Sequence, residues 1–303
     1  MQQVSVDASH ATSLVAPSSE EERMTGYQNV ATSKVRGQNG IDYAYRRCGV
    51  ANERPLVLLQ HFRGNLDNWD PALVDLLARR REVIAFDNVG VGASSGEVTP
   101  SVTQMAHDAI AFVSALGLAR IDLLGYSLGG FVAQEMALIR PDLVERIVLA
   151  ATAPQGGAGM HGWARDVIDA IGSPETTPQG FLQVFFARTD SSQAAGKEFF
   201  GRITARTADR DTPTDWSARN AHYDAVVQWG IPNHSMLERL RGITQPVLVT
   251  NGDTDPMILP RYTHLLGGLL PEAKVKIYPD AAHGFLFQHH DEFGTDVGRF
   301  LGC

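Results

Sequence analysis

The feature that most constrains this chain is a recurrence of short apolar runs: PLVLLQ (55–60), EVIAFD (82–87), IDLLGY (121–126), RIVLAAT (146–152), PVLVTN (246–251) and VKIYPD (275–280). Each has the length of a β-strand and most lack polar alternation, as strands covered on both faces do. Helical patterns separate them: DPALVDLLARR (70–80), SVTQMAHDAIAFVSALG (101–117), SLGGFVAQEMALIR (127–140), PRYTHLLGGLL (260–270) and DEFGTDVGRFL (291–301). In the second of these, Val102, Met105, Ala109, Phe112 and Leu116 share one stripe at helical spacing. Strands alternating with helices imply right-handed crossovers and a mostly parallel sheet. Ahead of them, SKVRGQ-NG-IDYAYRRCG predicts a hairpin turning at Asn39-Gly40, since both residue types tolerate positive φ.

One stretch breaks the rhythm. Between Thr152 and Gln245 no strand pattern occurs, and HGWARDVIDAIG, GFLQVFFAR, SSQAAGKEFFGRITART and SARNAHYDAVVQWG read as successive helices. The expected organisation is a core of residues 31–155 and 236–303, a helical cap at 156–235 over the sheet's ligand edge, and an N-terminal tail or surface arm at 1–30.

Composition narrows the partners. A formal net charge of −8 with no dense basic patch argues against nucleic acid and anionic membrane. No run approaches the roughly 18 apolar residues of a membrane span. The opening residues lack the basic start and apolar run of a secretory signal. With only Cys48 and Cys303, free thiols are the simpler reading, so a cytoplasmic protein is expected. A small-molecule substrate is the expected partner; a homo-oligomer is compatible with the sequence.

The pentapeptide Gly-x-Ser-x-Gly appears twice, as GASSG (92–96) and GYSLG (125–129). A nucleophilic serine in this pattern sits on a sharp turn between a buried strand and a helix. GASSG has no helical stripe behind it, and Pro100 intervenes, so it reads as a turn-rich loop before a helix that Ser101 can cap. GYSLG follows the apolar IDLL and leads at once into LGGFV. Ser127 is therefore the candidate nucleophile.

A serine hydroxyl needs a base within hydrogen-bond reach, and the base needs an orienting carboxylate. His283 lies in DAAHGF just past a strand, at the sheet edge where such proteins bind ligands. PVLVTNGDTDPMILP offers Asp253 and Asp255; Asp253 suits the turn itself, which leaves Asp255 as the acid. An oxyanion hole requires two backbone N–H groups. Leu128, following the nucleophile, supplies one, and Phe62, in the loop after PLVLLQ, the other.

The order Ser127, Asp255, His283 resembles that of the α/β-hydrolases, as do LLQHFRGNLDNW for their oxyanion loop, DNVGVGASS for their Asp-x-x-Gly-x-Gly-x-Ser loop and GDTD for their acid turn. The resemblance covers roughly residues 31–302 and is nearest to the cofactor-free haloperoxidase and esterase group. It implies the α/β-hydrolase fold: a mostly parallel, eight-stranded type of sheet flanked by helices, with a helical cap. It implies a serine hydrolase that needs no cofactor and no metal. Gln60-His61 replaces the usual His-Gly, which puts His61 beside the pocket, with Arg63 available to an anionic substrate group. Tyr126, Trp163, Phe186 and Phe285 are further candidate substrate contacts, and Phe181, Phe185 and Trp229 candidate cap wall.

The expected reaction is acyl transfer from a small or medium, largely apolar ester or lactone to water. The same residues could serve perhydrolysis, haloperoxidation, or carbon–carbon bond hydrolysis with Arg202 or Arg206 holding a carboxylate. A ligand sensor built on the same triad is the alternative of another class. Serine at position 127 excludes the alkyl-ester route that relatives with aspartate there use.

Overall fold

In the computed structural model, which describes residues 26–302, the apolar runs become strands and the segments between them become helices. The strands are β1 (Ser33–Arg36), β2 (Asp42–Gly49), β3 (Leu56–Leu59), β4 (Glu82–Phe86), β5 (Ile121–Tyr126), β6 (Val144–Ala150), β7 (Val247–Gly252) and β8 (Ala273–Tyr278). They form one eight-stranded sheet in the order β1-β2-β4-β3-β5-β6-β7-β8. β2 runs antiparallel to both β1 and β4, and all other neighbours are parallel. β3, β4, β5 and β7 are buried at every position, which is why their sequences show no polar alternation.

The core helices are α1 (Pro71–Ala78), α2 (Val102–Ala115) and α3 (Leu128–Ile139), with α9 (Pro260–Leu269), α10 (Phe285–Gln288) and α11 (His290–Leu301) near the C-terminus. Between β6 and β7 lie α4 (Arg165–Ile171), α5 (Pro178–Phe185), α6 (Asp190–Thr204) and α7 (Trp216–Trp229), then the short α8 (His234–Glu238). Local signals start these helices. Asp70, Ser101, Thr177, Thr189 and Asp215 each accept a hydrogen bond from a first-turn N–H, and Pro71 and Pro178 open α1 and α5. On α2 the expected stripe is buried at Val102, Met105, Ala109 and Phe112, while Leu116 is only half-buried at the helix end.

The hairpin turn is longer than Asn39-Gly40 alone. Gly37 N–H donates to the Ile41 carbonyl at 2.8 Å, and of the two expected turn residues only Gly40 takes positive φ, at 81°. Asn39 instead spends its side-chain amide on the Tyr43 hydroxyl at 2.7 Å. Residues 1–25 of the expected tail lie outside the described residues. Residues 26–30 are held against the body: the Tyr27 hydroxyl donates to the Leu66 carbonyl at 2.9 Å, and Arg206 Nη1 donates to the Gln28 and Val30 carbonyls at 2.8 and 2.9 Å.

Charged contacts pin the inserted helices to the core. Arg202 of α6 grips Asp70, at the start of α1, through Nε at 2.8 Å and Nη2 at 2.6 Å. The Asp211 N–H donates to Asp67 Oδ2 at 3.0 Å, and Asp67 is itself paired with the buried Arg46 at 2.8 Å. Among the described residues, no helix is long and apolar enough to cross a membrane.

Candidate active site

Ser127 occupies the single-residue joint between β5 and α3, with φ 55° and ψ −118°. That conformation is rare for a residue with a side chain and stores strain. The packing over-determines it. A Cβ on Gly129 would lie 2.1 Å from the Leu59 carbonyl oxygen, so only glycine lets α3 sit this close to β3. Unlike the serine and threonine caps elsewhere, the Ser127 side chain makes no capping bond to α3. Its Oγ lies 2.9 Å from His283 Nε2.

His283 stands in the loop after β8 and is fully buried. Its Nδ1 lies 2.8 Å from Asp255 Oδ2. Asp255 Oδ1 accepts from the Met257 and Ile258 N–H groups at 2.8 and 3.0 Å, which fixes the carboxylate plane. Asp253 has a different occupation: its carboxylate accepts from the Asp280 and Ala281 N–H groups, both at 3.1 Å, and ties the loop after β7 to the loop after β8. Behind the imidazole, the Tyr126 hydroxyl donates to the His283 carbonyl at 2.9 Å, and burial pushes that phenol well above its ordinary pKa.

The loop after β3 contributes backbone. His61 N–H donates to Gln60 Oε1 at 2.9 Å, Arg63 N–H to His222 Nδ1 at 3.1 Å, and Gly64 N–H to the His61 carbonyl at 3.0 Å. Among the described residues the Phe62 N–H makes no hydrogen bond, and neither does the Leu128 N–H. Buried N–H groups are rarely left unpaired without a reason. The Leu128 N–H follows the serine at the N-terminal end of α3, and the Phe62 N–H belongs to a turn that lines a cavity, so both donors remain available.

This cavity of about 690 Å³ is lined by His283, His61 and Phe62, whereas Ser127, Asp255 and Leu128 are buried and are not among its lining residues. Phe181, Phe185 and Met257 make its apolar wall, and Asn68, Thr214 and Asp215 its polar end. Tyr126, Trp163, Phe186 and Phe285, expected as substrate contacts, do not line it. Tyr126 lies tilted against His283 with ring centres 5.3 Å apart, Trp163 meets Phe62 edge-on at 5.2 Å, Phe186 packs on Phe199 at 5.9 Å, and Phe285 stacks on Tyr278 at 5.0 Å. Tyr126, Phe186 and Phe285 are buried in the hydrophobic interior, and the half-buried Trp163 packs against it. Trp229, an expected wall residue, stacks on Phe131 of α3 at 4.9 Å.

The arginines differ from expectation as well. Arg63 lines the cavity, but its guanidinium donates to the Ser173 and Pro174 carbonyls at 2.8 and 2.7 Å. Arg202 and Arg206, considered as carboxylate binders, do not reach the cavity and are spent on Asp70, Asp209 and backbone carbonyls. His61 is held with Nδ1 2.7 Å from the Phe62 carbonyl, and burial pulls its pKa down to about 3. Burial favours its neutral form, and the carbonyl partner requires that Nδ1 carry the proton. Burial likewise lowers His222 to about 4. Sequence patterns miss Met257 because nothing local marks it; it enters the wall only because Asp255 turns the chain.

The other pentapeptide is a loop. Gly92 and Gly96 take φ 56° and 90°, Ser94 Oγ donates to the Asp87 carbonyl at 2.8 Å, and Ser101 caps α2.

With this geometry in view, comparisons with known proteins place the chain. The sequence model of the alpha/beta hydrolase fold family matches residues 54–290. A solved alpha/beta hydrolase fold protein from Chitinophaga pinensis is 37% identical, with a TM-score of 0.86 over 91% of this chain and 99% of its own. A pimeloyl-[acyl-carrier protein] methyl ester esterase from Aliivibrio salmonicida is 26% identical over 81% of this chain and 91% of its own. A bromoperoxidase from Bacillus anthracis shares the fold, with a TM-score of 0.72 at 19% identity over 90% of this chain and 100% of its own. This chain belongs to the alpha/beta hydrolase fold family, close to its cofactor-free haloperoxidase and esterase members.

Proposed function

We propose that this hydrolase is a serine esterase or lactonase that cleaves a small or medium, largely apolar substrate through an acyl-serine intermediate. The observation that carries the reading is the row of contacts through one buried imidazole: 2.9 Å from His283 Nε2 to Ser127 Oγ and 2.8 Å from Nδ1 to Asp255 Oδ2.

In this reading His283 takes the Ser127 proton as Oγ attacks the carbonyl carbon. Asp255 accepts from Nδ1–H, which leaves the Nε2 lone pair facing the serine and stabilises the imidazolium that forms. The tetrahedral oxyanion accepts from the Phe62 and Leu128 N–H groups, which need no reorganisation because no protein acceptor competes for them. His283 then gives its proton to the leaving oxygen, and water repeats the cycle to release the acid. The strained backbone at Ser127 keeps Oγ at the apex, clear of the helix that follows.

The apolar wall of Phe62, Phe181, Phe185 and Met257 supports an apolar acyl or alcohol group, and the cavity volume lies within the range of small-molecule sites. The Arg63 guanidinium is committed to the Ser173 and Pro174 carbonyls, and Arg210 pairs with Asp67 at 3.6 Å while its Nη1 donates to two carbonyls, so neither presents its full fork of donors to a substrate carboxylate. The likeness to a methyl ester esterase supports the ester class. The test is steady-state turnover of p-nitrophenyl esters from acetate to octanoate, with lactones alongside, and labelling of Ser127 by a fluorophosphonate. Repeated turnover that Ser127→Ala abolishes is expected. Activity surviving Ser127→Ala would end this reading, and one acylation without turnover would turn it into a ligand sensor.

A further inference from the structure

One residue beside the oxyanion position is tied to the inserted helices at both its backbone and its side chain. Arg63 has φ 63°, the left-handed region that side chains other than glycine seldom adopt. Its N–H donates to His222 Nδ1 of α7 at 3.1 Å, and its carbonyl accepts from Thr214 Oγ1 at 2.7 Å. The guanidinium spreads across the α4–α5 turn, with Nη1 on the Ser173 carbonyl at 2.8 Å and Nη2 on the Pro174 carbonyl at 2.7 Å. All these partners belong to the insertion between β6 and β7, and none to the sheet.

The remaining ties of the turn are to the core. Gln60 holds its other side, accepting from His61 N–H through Oε1 and donating through Nε2 to the Asn65 carbonyl at 3.1 Å. The peptide plane after Phe62 is therefore fixed from two directions: His61 Nδ1 holds the Phe62 carbonyl from the core side, and His222 holds the Arg63 N–H from the cap side. The Phe62 N–H is the one amide of residues 61–64 without an acceptor among the described residues.

We propose that Arg63 and His222 are positioning residues that assemble the oxyanion hole only when the cap helices are seated. Lifting α4–α7 would leave Arg63 held in its left-handed conformation only by the Gly64 N–H to His61 carbonyl bond across the turn, and the turn carrying the Phe62 N–H would loosen. Docking of the cap and readiness for acyl transfer become one event, so an open site can admit substrate without being reactive. His222 suits the task because its burial keeps it neutral, with Nδ1 free to accept. The inference rests on the serine-hydrolase reading and adds a mechanical condition to it.

The experiment measures the second-order rate of Ser127 phosphonylation by a fluorophosphonate, with kcat and KM on p-nitrophenyl acetate beside it. Arg63→Gly keeps the backbone conformation accessible and deletes the clamp; His222→Phe keeps ring volume and deletes the acceptor; His222→Asn puts an amide oxygen near the Nδ1 position. The expected result is a roughly ten- to hundredfold slower labelling rate and kcat for Arg63→Gly and His222→Phe. KM should stay within about twofold, and His222→Asn should recover most of the rate. A merely structural role would lower the amount of folded protein without splitting kcat from KM and without rescue by asparagine. Folded variants labelling within twofold of the wild-type rate would overturn the proposal and leave the triad intact. Absence of Ser127 labelling in the wild-type protein would instead overturn the function on which it rests. Should Arg63→Gly fail to fold, the paired His222 variants decide the matter by themselves.

Discussion

GASSG at 92–96 and GYSLG at 125–129 satisfy the same five-residue pattern and fold into opposite things. In the first, Gly92 and Gly96 are needed for positive φ, and Ser94 and Ser95 stitch the loop to β2 by accepting from the Ala44 and Asp42 N–H groups. In the second, the glycines are needed for room, as a Cβ at Gly125 would meet the Gly129 carbonyl oxygen at 2.5 Å and one at Gly129 the Leu59 carbonyl oxygen at 2.1 Å. The serine of the loop satisfies its neighbours; the serine of the elbow leaves its helix uncapped and faces an imidazole. A motif thus names residue types, while what enters and leaves it decides their role.

Removing the hydroxyl from each serine separates the two roles. Ser127→Ala should lower kcat by roughly 10⁶-fold, as loss of the nucleophile does in comparable triads, with the unfolding midpoint nearly unchanged. Steady-state assays and urea titration of the same preparation check both halves. Ester turnover near the wild-type rate would remove Ser127 from the chemistry.

The acid turn repeats the lesson with two aspartates. Asp255→Asn should cost roughly 10⁴-fold in kcat by disturbing the His283 tautomer. Asp253→Asn loses bonds to the Asp280 and Ala281 N–H groups and should act mainly on stability. Kinetics on the two purified variants give the ranking, and the reverse order would assign the acid role to Asp253.

Ser94→Ala is the mirror of the first test. It strips the buried Ala44 N–H of its acceptor and should cost about 1–3 kcal/mol in denaturant unfolding, with kcat/KM preserved. A strong loss of activity in a folded Ser94→Ala protein would undo the contrast between the pentapeptides.

The last test concerns pH and the fold rather than turnover. Folding depresses His222 to about 4 and His61 to about 3 from 6.5, through burial. Their neutral forms therefore support the fold fully above about pH 6.5. As pH falls below that, the unfolded chain takes up protons first and stability drains. The loss is complete only below the folded values. Unfolding free energies between pH 7 and 4 should show this slope, and His222→Asn should make it shallower. An unchanged slope would mean that His222 does not stay neutral in the folded protein.

Much of this is legible in the residues. Unbroken apolar runs become strands buried on both faces, because a side chain that meets protein on either side has no use for polarity. Ser101 marks a helix start because a short polar side chain satisfies an unpaired first-turn amide, and Asp70, Thr177, Thr189 and Asp215 do the same in the structure. The serine, aspartate and histidine that meet can be picked out, since each follows a strand at the same edge of one sheet. The pocket lining cannot. Tyr126, Trp163, Phe186 and Phe285 are aromatic residues near the right strands and helices, yet they pack inward, and an aromatic side chain carries no local signal of which apolar surface it will cover. Arg63 reads as a group for solvent or an anion, and its carbonyl partners lie 110 and 111 residues away along the chain.

The alternation of strands and helices, the place of the insertion and the identity of the groups that meet at Ser127 follow from the residues alone, because periodicity, turn chemistry and residue type act over a few neighbours. Which aromatics face the cavity and which arginines remain free is settled only by tertiary packing. So are the bonds from the inserted segment to Arg63, in the turn bearing the Phe62 N–H. Those outcomes depend on which distant surfaces exclude water together and which carbonyls are left wanting a donor, and both exist only once the chain has closed on itself.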